Sequence, residues 1–133
     1  MAAPPPVPKD KPLVFVAEDD PDLLRMIVRM LDPIVSVKTA KDGQDALDQL
    51  GAMQRAPAVL ITDMMMPKLD GLALVKAIKA NPALARVPII MLTAKNGPKD
   101  QIAGINAGVR HYLTKPFKHD DLIDKVKKLA NVK

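Results

Sequence analysis

The stretch "VLITDMMMPKLDG", residues 59–71, decides how this chain folds. Its apolar run, Val59-Leu60-Ile61, ends on Thr62 and a carboxylate, Asp63, and then passes through three methionines into Pro67. A strand interior excludes Asp63, and a helix resists an internal proline. The stretch reads as a buried strand whose tip presents a single acid, followed by a tight loop. Asp70-Gly71 then reads as a turn leading into a helix.

Working outward, the same kind of run recurs on both sides. "LVFVA" (13–17), "IVSV" (34–37), "AVLIT" (58–62) and "IIMLT" (89–93) are short, continuous and mostly aliphatic, as strands buried on both faces should be, and "HYLT" (111–114) is a shorter fifth. Amphipathic segments lie between them. Leu24, Ile27, Val28 and Leu31 follow the helical repeat, as do Leu122, Ile123, Val126 and Leu129. Ala46, Leu47, Leu50 and Met53 make another helical face, preceded by an Asp42-Gly43 turn, and Leu72, Val75 and Ile78 a further one. The weakest helical segment surrounds Ile102 and Ile105. Asp120 and Asp121 open the last helix and Lys127 and Lys128 close it, which complements the helix dipole.

Five strand–helix pairs imply an α/β fold: a parallel sheet with helices on both faces and right-handed crossovers. Chemistry in such sheets gathers at the carboxyl ends of the strands, where strand order reverses. Polar residues stand at just those places. Glu18, Asp19 and Asp20 follow the first run, Asp63 the third, Thr93 ends the fourth, and Lys115 follows the fifth.

Bulk properties set the frame around this pattern. A chain of 133 residues, 48% of them hydrophobic, fits one domain with a sizeable core. No apolar run approaches the roughly 20 residues of a membrane helix, and "MAAPPPVPKDKP" at the start has no secretory pattern. Residues 1–12 hold five prolines and read as a flexible tail, with the folded domain over 13–133. The chain has no cysteine, hence no disulfide or thiolate site, which suits a cytoplasmic protein. The net charge of +5 is concentrated late: residues 95–133 carry nine basic and four acidic side chains. That excess is either a solvated lysine-rich surface or a face for an acidic partner.

Carboxylates clustered at adjacent strand tips repel one another, raising the pKa of at least one. A bound divalent cation removes the conflict. Oxygen ligands without Cys, and without His near these tips, point to Mg²⁺ or Mn²⁺ rather than Zn²⁺. One lysine and one threonine hydroxyl facing the same cleft complete an anion site, suited to phosphoryl transfer onto a carboxylate.

"VAEDD", "ITDMMMPKLDG", "PIIMLTA" and "HYLTKPF" stand in the order and spacing of one known family. From about residue 13 to 130 the chain resembles the receiver domain of bacterial two-component response regulators, single-domain chemotaxis-type members among them. The resemblance implies a flavodoxin-like (βα)5 fold with strand order 2-1-3-4-5. It implies that Asp63 accepts the phosphoryl group, and that Glu18, Asp19, Asp63 and the Met65 backbone carbonyl hold Mg²⁺. Asp20 falls one place later, where the family varies. Thr93 matches the hydroxyl that engages the phosphoryl group, Lys115 the lysine that neutralises it, and Tyr112 the aromatic that reports the active state. Lys115-Pro116 is cis in many members. The side chains at Met65 and Lys95 match positions that tune phosphate lifetime.

The function so implied is a switch rather than a turnover enzyme. A histidine kinase or phosphotransfer protein phosphorylates Asp63, and the surface of the fourth helix, fifth strand and fifth helix changes shape toward a protein target, an acidic one if Lys95, Lys99, Arg110, Lys118 and Lys125 face it. Many receivers pair through that face, so the expected state is a monomer or a phosphorylation-dependent homodimer. Two competitors come from other classes. A small Mg²⁺-dependent phosphohydrolase would want a second acid where Met65 stands. A degenerate receiver, kept only as an interaction module, would lack an acid, the threonine or the lysine. A nucleotide-binding domain would want a glycine-rich loop after the first strand, and DNA binding by this chain alone would want a helix-turn-helix or an aromatic platform. Met64, Met65 and Met66 read as adaptable packing with no role for sulfur. His111 and His119 read as strand-end or surface residues.

Overall fold

The computed structural model describes residues 11–94 and 108–132. Five strands, β1 (Leu13–Ala17), β2 (Ser36–Ala40), β3 (Val59–Asp63), β4 (Ile89–Thr93) and β5 (His111–Thr114), form one parallel sheet in the order β2-β1-β3-β4-β5. Helices α1 (Pro21–Leu31), α2 (Gly43–Ala52), α3 (Gly71–Ala80) and a C-terminal helix (His119–Ala130) cover it. The helix expected around Ile102 and Ile105 lies outside the described residues, as do Lys95, Lys99 and residues 1–10. This is the flavodoxin-like doubly wound arrangement. Among the described residues no helix is long and apolar enough to cross a membrane.

Strand side chains alternate between two cores, as the period of two requires. Phe15, Leu60 and Met91 point to one face, where Ala46 and Leu50 of α2 and Leu74, Val75 and Ile78 of α3 close over them. Val14, Val16, Ile61, Ile90 and Leu92 point to the other, against Ile27, Met30 and Leu31 of α1 and Leu122 and Val126 of the C-terminal helix. Each large aliphatic side chain so enclosed stabilises the fold by about 1.5–3 kcal/mol before entropy is charged against it.

Two expectations shift. The buried face of α1 is Ile27, Met30 and Leu31, while Leu24 and Val28 are half-buried and line a shallow groove with Arg25, Arg29 and Thr39. The second strand covers Ser36–Ala40, later than the apolar run at 34–37 suggested. The amides of Ile34 and Val35 both donate to the Leu31 carbonyl, so these residues finish the turn after α1. Pairing begins only where the Ser36 amide reaches the Pro12 carbonyl. β2 is an edge strand with one neighbour, so it has no need of a continuous apolar run.

Acidic side chains start the first three helices. Asp20, Asp42 and Asp70 occupy the N-caps of α1, α2 and α3 and accept backbone amides from the first turn. Two of them stand immediately before glycines that admit close backbone contact: a Cβ on Gly43 would sit 1.8 Å from the Leu69 carbonyl oxygen, and one on Gly71 2.2 Å from that of Asp63. The loop after β3 is thereby pressed between the starts of α2 and α3.

Candidate functional site

The acids flank the place where the sheet changes direction. β1 sits between β2 and β3, so the chain winds one way from β1 to β2 and the other way from β3 onward. Glu18 and Asp19 follow β1, and Asp63 ends β3 beside them. One carboxylate oxygen from each of Glu18, Asp19 and Asp63 lies within 4.8 Å of the other two. Asp20 turns elsewhere: its Oδ1 accepts the Asp22 amide at 2.9 Å and caps α1. The acidic triplet is thus divided between the cleft and the helix start.

Lys115, just past β5, reaches across the strand tips. Its Nζ donates to Glu18 Oε1 at 3.0 Å and to Asp63 Oδ2 at 2.8 Å. Burial works against its charge, but the hydrogen bonds to Asp63 and Glu18 outweigh this and raise its pKa above the ordinary lysine value. Glu18 is only 1% exposed. Burial pushes its carboxyl up to about 7, with the Asp63 charge adding and the Asp20 amide and Lys115 partly offsetting. The Asp20 amide donates to Glu18 Oε2 at 3.1 Å. Among the described residues, one ammonium, that of Lys115, contacts two of the three clustered carboxylates. The donor set is all oxygen, hard and clustered, which is what Mg²⁺ takes.

Thr93 ends β4 next to Asp63, whose strand pairs with β4 through Asp63↔Leu92. The Thr93 carbonyl accepts the Lys115 amide at 2.7 Å, tying the lysine to the same strand tip. The Thr93 hydroxyl is buried and donates to the Met64 sulfur at 3.8 Å. Tyr112 of β5 is half-buried and packs against the core that holds Met64 and Met66. The Lys115-Pro116 peptide is cis. Met65 stands out into solvent, 73% exposed. Asp63 itself is buried, 6% exposed.

Glu18, Asp19, Asp63, Thr93 and Lys115 therefore meet at one end of the sheet, and Tyr112 lies in the strand next to Thr93. Sequence reading missed the Met64 sulfur contact. It joins residues 29 apart through strand adjacency, and no local pattern marks it. It missed Lys68 as well, a non-glycine residue held at φ 68° with its Nζ 3.7 Å from Asp42 Oδ2. The signal there was faint: a residue between Pro67 and the helix-starting Asp70 in a loop this short has few conformations left.

Comparison with known proteins identifies the family to which this fold belongs. The family model for the response regulator receiver domain matches residues 14–127, and the chain belongs to that family. The receiver domain of a Francisella response regulator superposes with a TM-score of 0.83 at 33% identity, covering 91% of this chain and 98% of that one. A chemotaxis response regulator of Vibrio cholerae gives a TM-score of 0.82 at 28% identity over 90% of this chain and 98% of that one. The receiver domain of a Pseudomonas aeruginosa sensor histidine kinase, described with magnesium coordinated in its active-site cleft, gives 0.82 at 29% identity, over 91% of this chain and 98% of that one. Among curated proteins, hybrid signal transduction histidine kinase D of Dictyostelium discoideum is 33% identical over 124 residues, and sensor histidine kinase TmoS of Ectopseudomonas mendocina 35% identical over as many. Each alignment covers 93% of this chain but only 8% and 12% of those much longer proteins.

Proposed function

We propose that residues 13–133 act as a phosphorylation-dependent switch, with Asp63 as the phosphoacceptor and residues 1–12 as an appended tail. The observation that carries this reading is Lys115 bridging Glu18 and Asp63 at the strand tips, one strand from the Thr93 hydroxyl. A histidine kinase or phosphotransfer protein presents a phosphohistidine. An Asp63 carboxylate oxygen attacks the phosphorus in line; the new O–P bond forms as the P–N bond breaks, and the imidazole leaves with the electron pair. The Lys115 ammonium offsets the added charge, and the Thr93 hydroxyl donates to a phosphoryl oxygen. A cation held by Glu18, Asp19, Asp63 and the Met65 carbonyl would supply further charge neutralisation. Water later attacks the same phosphorus, and inorganic phosphate leaves with the regenerated carboxylate behind. The switch then resets, so the protein turns over no substrate of its own.

In this reading Thr93 and Tyr112 carry the change outward to the face around β5 and the C-terminal helix. Arg110 and Lys118 are exposed and Lys125 half-buried on these elements, a basic surface suited to an acidic protein partner in the cytoplasm. Neutralising Lys118 and Lys125 together should weaken that partner's affinity and flatten its salt dependence; unchanged binding at low and high salt would remove this surface from consideration. A single-domain regulator and one module of a longer kinase would use the same chemistry; two curated relatives are a hybrid kinase and a sensor kinase.

The acceptor reading is tested by incubation with acetyl phosphate and Mg²⁺, followed by intact mass. Wild type should gain one phosphoryl group, lose the gain when EDTA is present from the start, and show none as Asp63→Ala. A labelled Asp63→Ala protein would place the acceptor elsewhere.

A further inference from the structure

Glu18 is held at both ends of its side chain. Its backbone amide donates to the Ala40 carbonyl at 3.1 Å, one residue past the end of β1. Its carboxylate meets two donors: Lys115 Nζ, 3.0 Å from Oε1, and the Asp20 amide, 3.1 Å from Oε2. The Asp20 amide is aimed in turn by its own residue. Asp20 Oδ1 accepts the Asp22 amide at 2.9 Å and the Leu23 amide at 3.5 Å, and the Asp20 carbonyl accepts the Leu24 amide at 2.9 Å. Asp20 therefore faces two ways, its oxygens joined to the first turn of α1 and its N–H to the cleft.

We propose that Asp20 is a positioning residue for the cation site, its capping side chain fixing the amide that holds Glu18 ready as a ligand. This rests on the reading above, in which Glu18, Asp19 and Asp63 hold a cation. A glutamate side chain loses rotamer freedom when it becomes a ligand. Where folding has already ordered it, binding need not do so, and affinity rises accordingly. Lys115 tethers Glu18 through a flexible stem of its own, whereas an amide joined to a helix start keeps its direction. Asp20 is exposed, so removing its carboxylate opens no cavity and leaves the three clustered acids chemically intact.

The test titrates Mg²⁺ calorimetrically into the full chain at roughly 0.15 M salt, where exposed charges are largely screened. It compares wild type with Asp20→Ala, Asp20→Asn and Gly108→Ala. Asparagine caps a helix about as well as aspartate but carries no charge. Gly108→Ala strains a residue at φ 101°, just before β5 and so at the opposite end of the sheet, and serves as a destabilised control. Asp20→Ala should bind Mg²⁺ about two- to fivefold more weakly, the scale of one loosened hydrogen bond. Asp20→Asn and Gly108→Ala should match wild type. Equal weakening in Asp20→Asn would trace the effect to charge, and equal weakening in Gly108→Ala to general loss of stability. Either result, or no weakening in Asp20→Ala, overturns the proposal. Should Asp20→Ala fail to fold by circular dichroism, Asp20→Gly takes its place under the same outcomes, since glycine is tolerated at a helix start but offers no side-chain oxygen. Failure of wild type to bind Mg²⁺, or undiminished binding by Asp63→Ala, instead overturns the cation reading and this inference with it.

Discussion

Met65 lies two residues past the candidate acceptor, yet its side chain is mostly in solvent. An apolar, flexible group this near the acceptor in sequence can hinder water at an acyl phosphate, whereas an amide can hold water by hydrogen bonds. Met65→Asn should therefore shorten the lifetime of the phosphorylated protein by about two- to tenfold, a barrier change near 1 kcal/mol. Decay of the intact-mass signal after removal of phosphodonor measures it, and a lifetime equal to wild type would leave Met65 without this role. At this scale the sequence was partly legible. Asp63 announced itself because a lone acid at the end of an apolar run has few structural uses. The split between Asp19 and Asp20 was not legible from the residue types alone, since either could face the cleft; the family resemblance pointed to Asp19. It is settled by the start of α1, which recruits the Asp20 side chain as its cap.

The elements show the same division. β1, β3 and β4 were plain in the sequence because each is covered on both faces and reads as an apolar run. β2 and β5 are edges, with half-exposed positions, and β2 was placed too early because Ile34 and Val35 look like strand while serving the turn after α1. Glycines separate the two kinds of constraint cleanly. Gly51, near the end of α2, has nothing within 4 Å of an added Cβ, whereas the same atom on Gly71 would collide with backbone of Asp63 and Met64. Gly51→Ala should stabilise the protein by about 0.5–1 kcal/mol through helix propensity. Gly71→Ala should destabilise it by about 1–3 kcal/mol, the cost of forcing packed atoms apart. Urea denaturation midpoints at constant slope measure both, and similar effects at the two positions would contradict the close approach.

Across the whole molecule, the basic excess of the last third has a consequence for stability. His111 opens β5, and its pKa lies below the ordinary 6.5, chiefly through burial and then through the charges of Lys125, Arg110 and Lys128. A proton therefore binds the unfolded chain more readily than the folded one. Above 6.5 both states are neutral at this position and it costs nothing; as pH falls through 6.5 toward the depressed folded value, the fold loses stability. His111→Gln should flatten the stability profile over that window while leaving it little changed above, as measured by denaturant unfolding at a series of pH values. An unaltered slope would mean that His111 titrates alike in both states. What the sequence determined by itself was the alternation of strand and helix, the doubly wound parallel class and the polar residues at the strand ends, because hydrophobic period and turn chemistry are local. What tertiary structure alone decided was which of those residues meet. Lys115 finds Glu18 from 97 positions away, and the Thr93 hydroxyl finds a methionine sulfur, only because strand order sets their tips side by side.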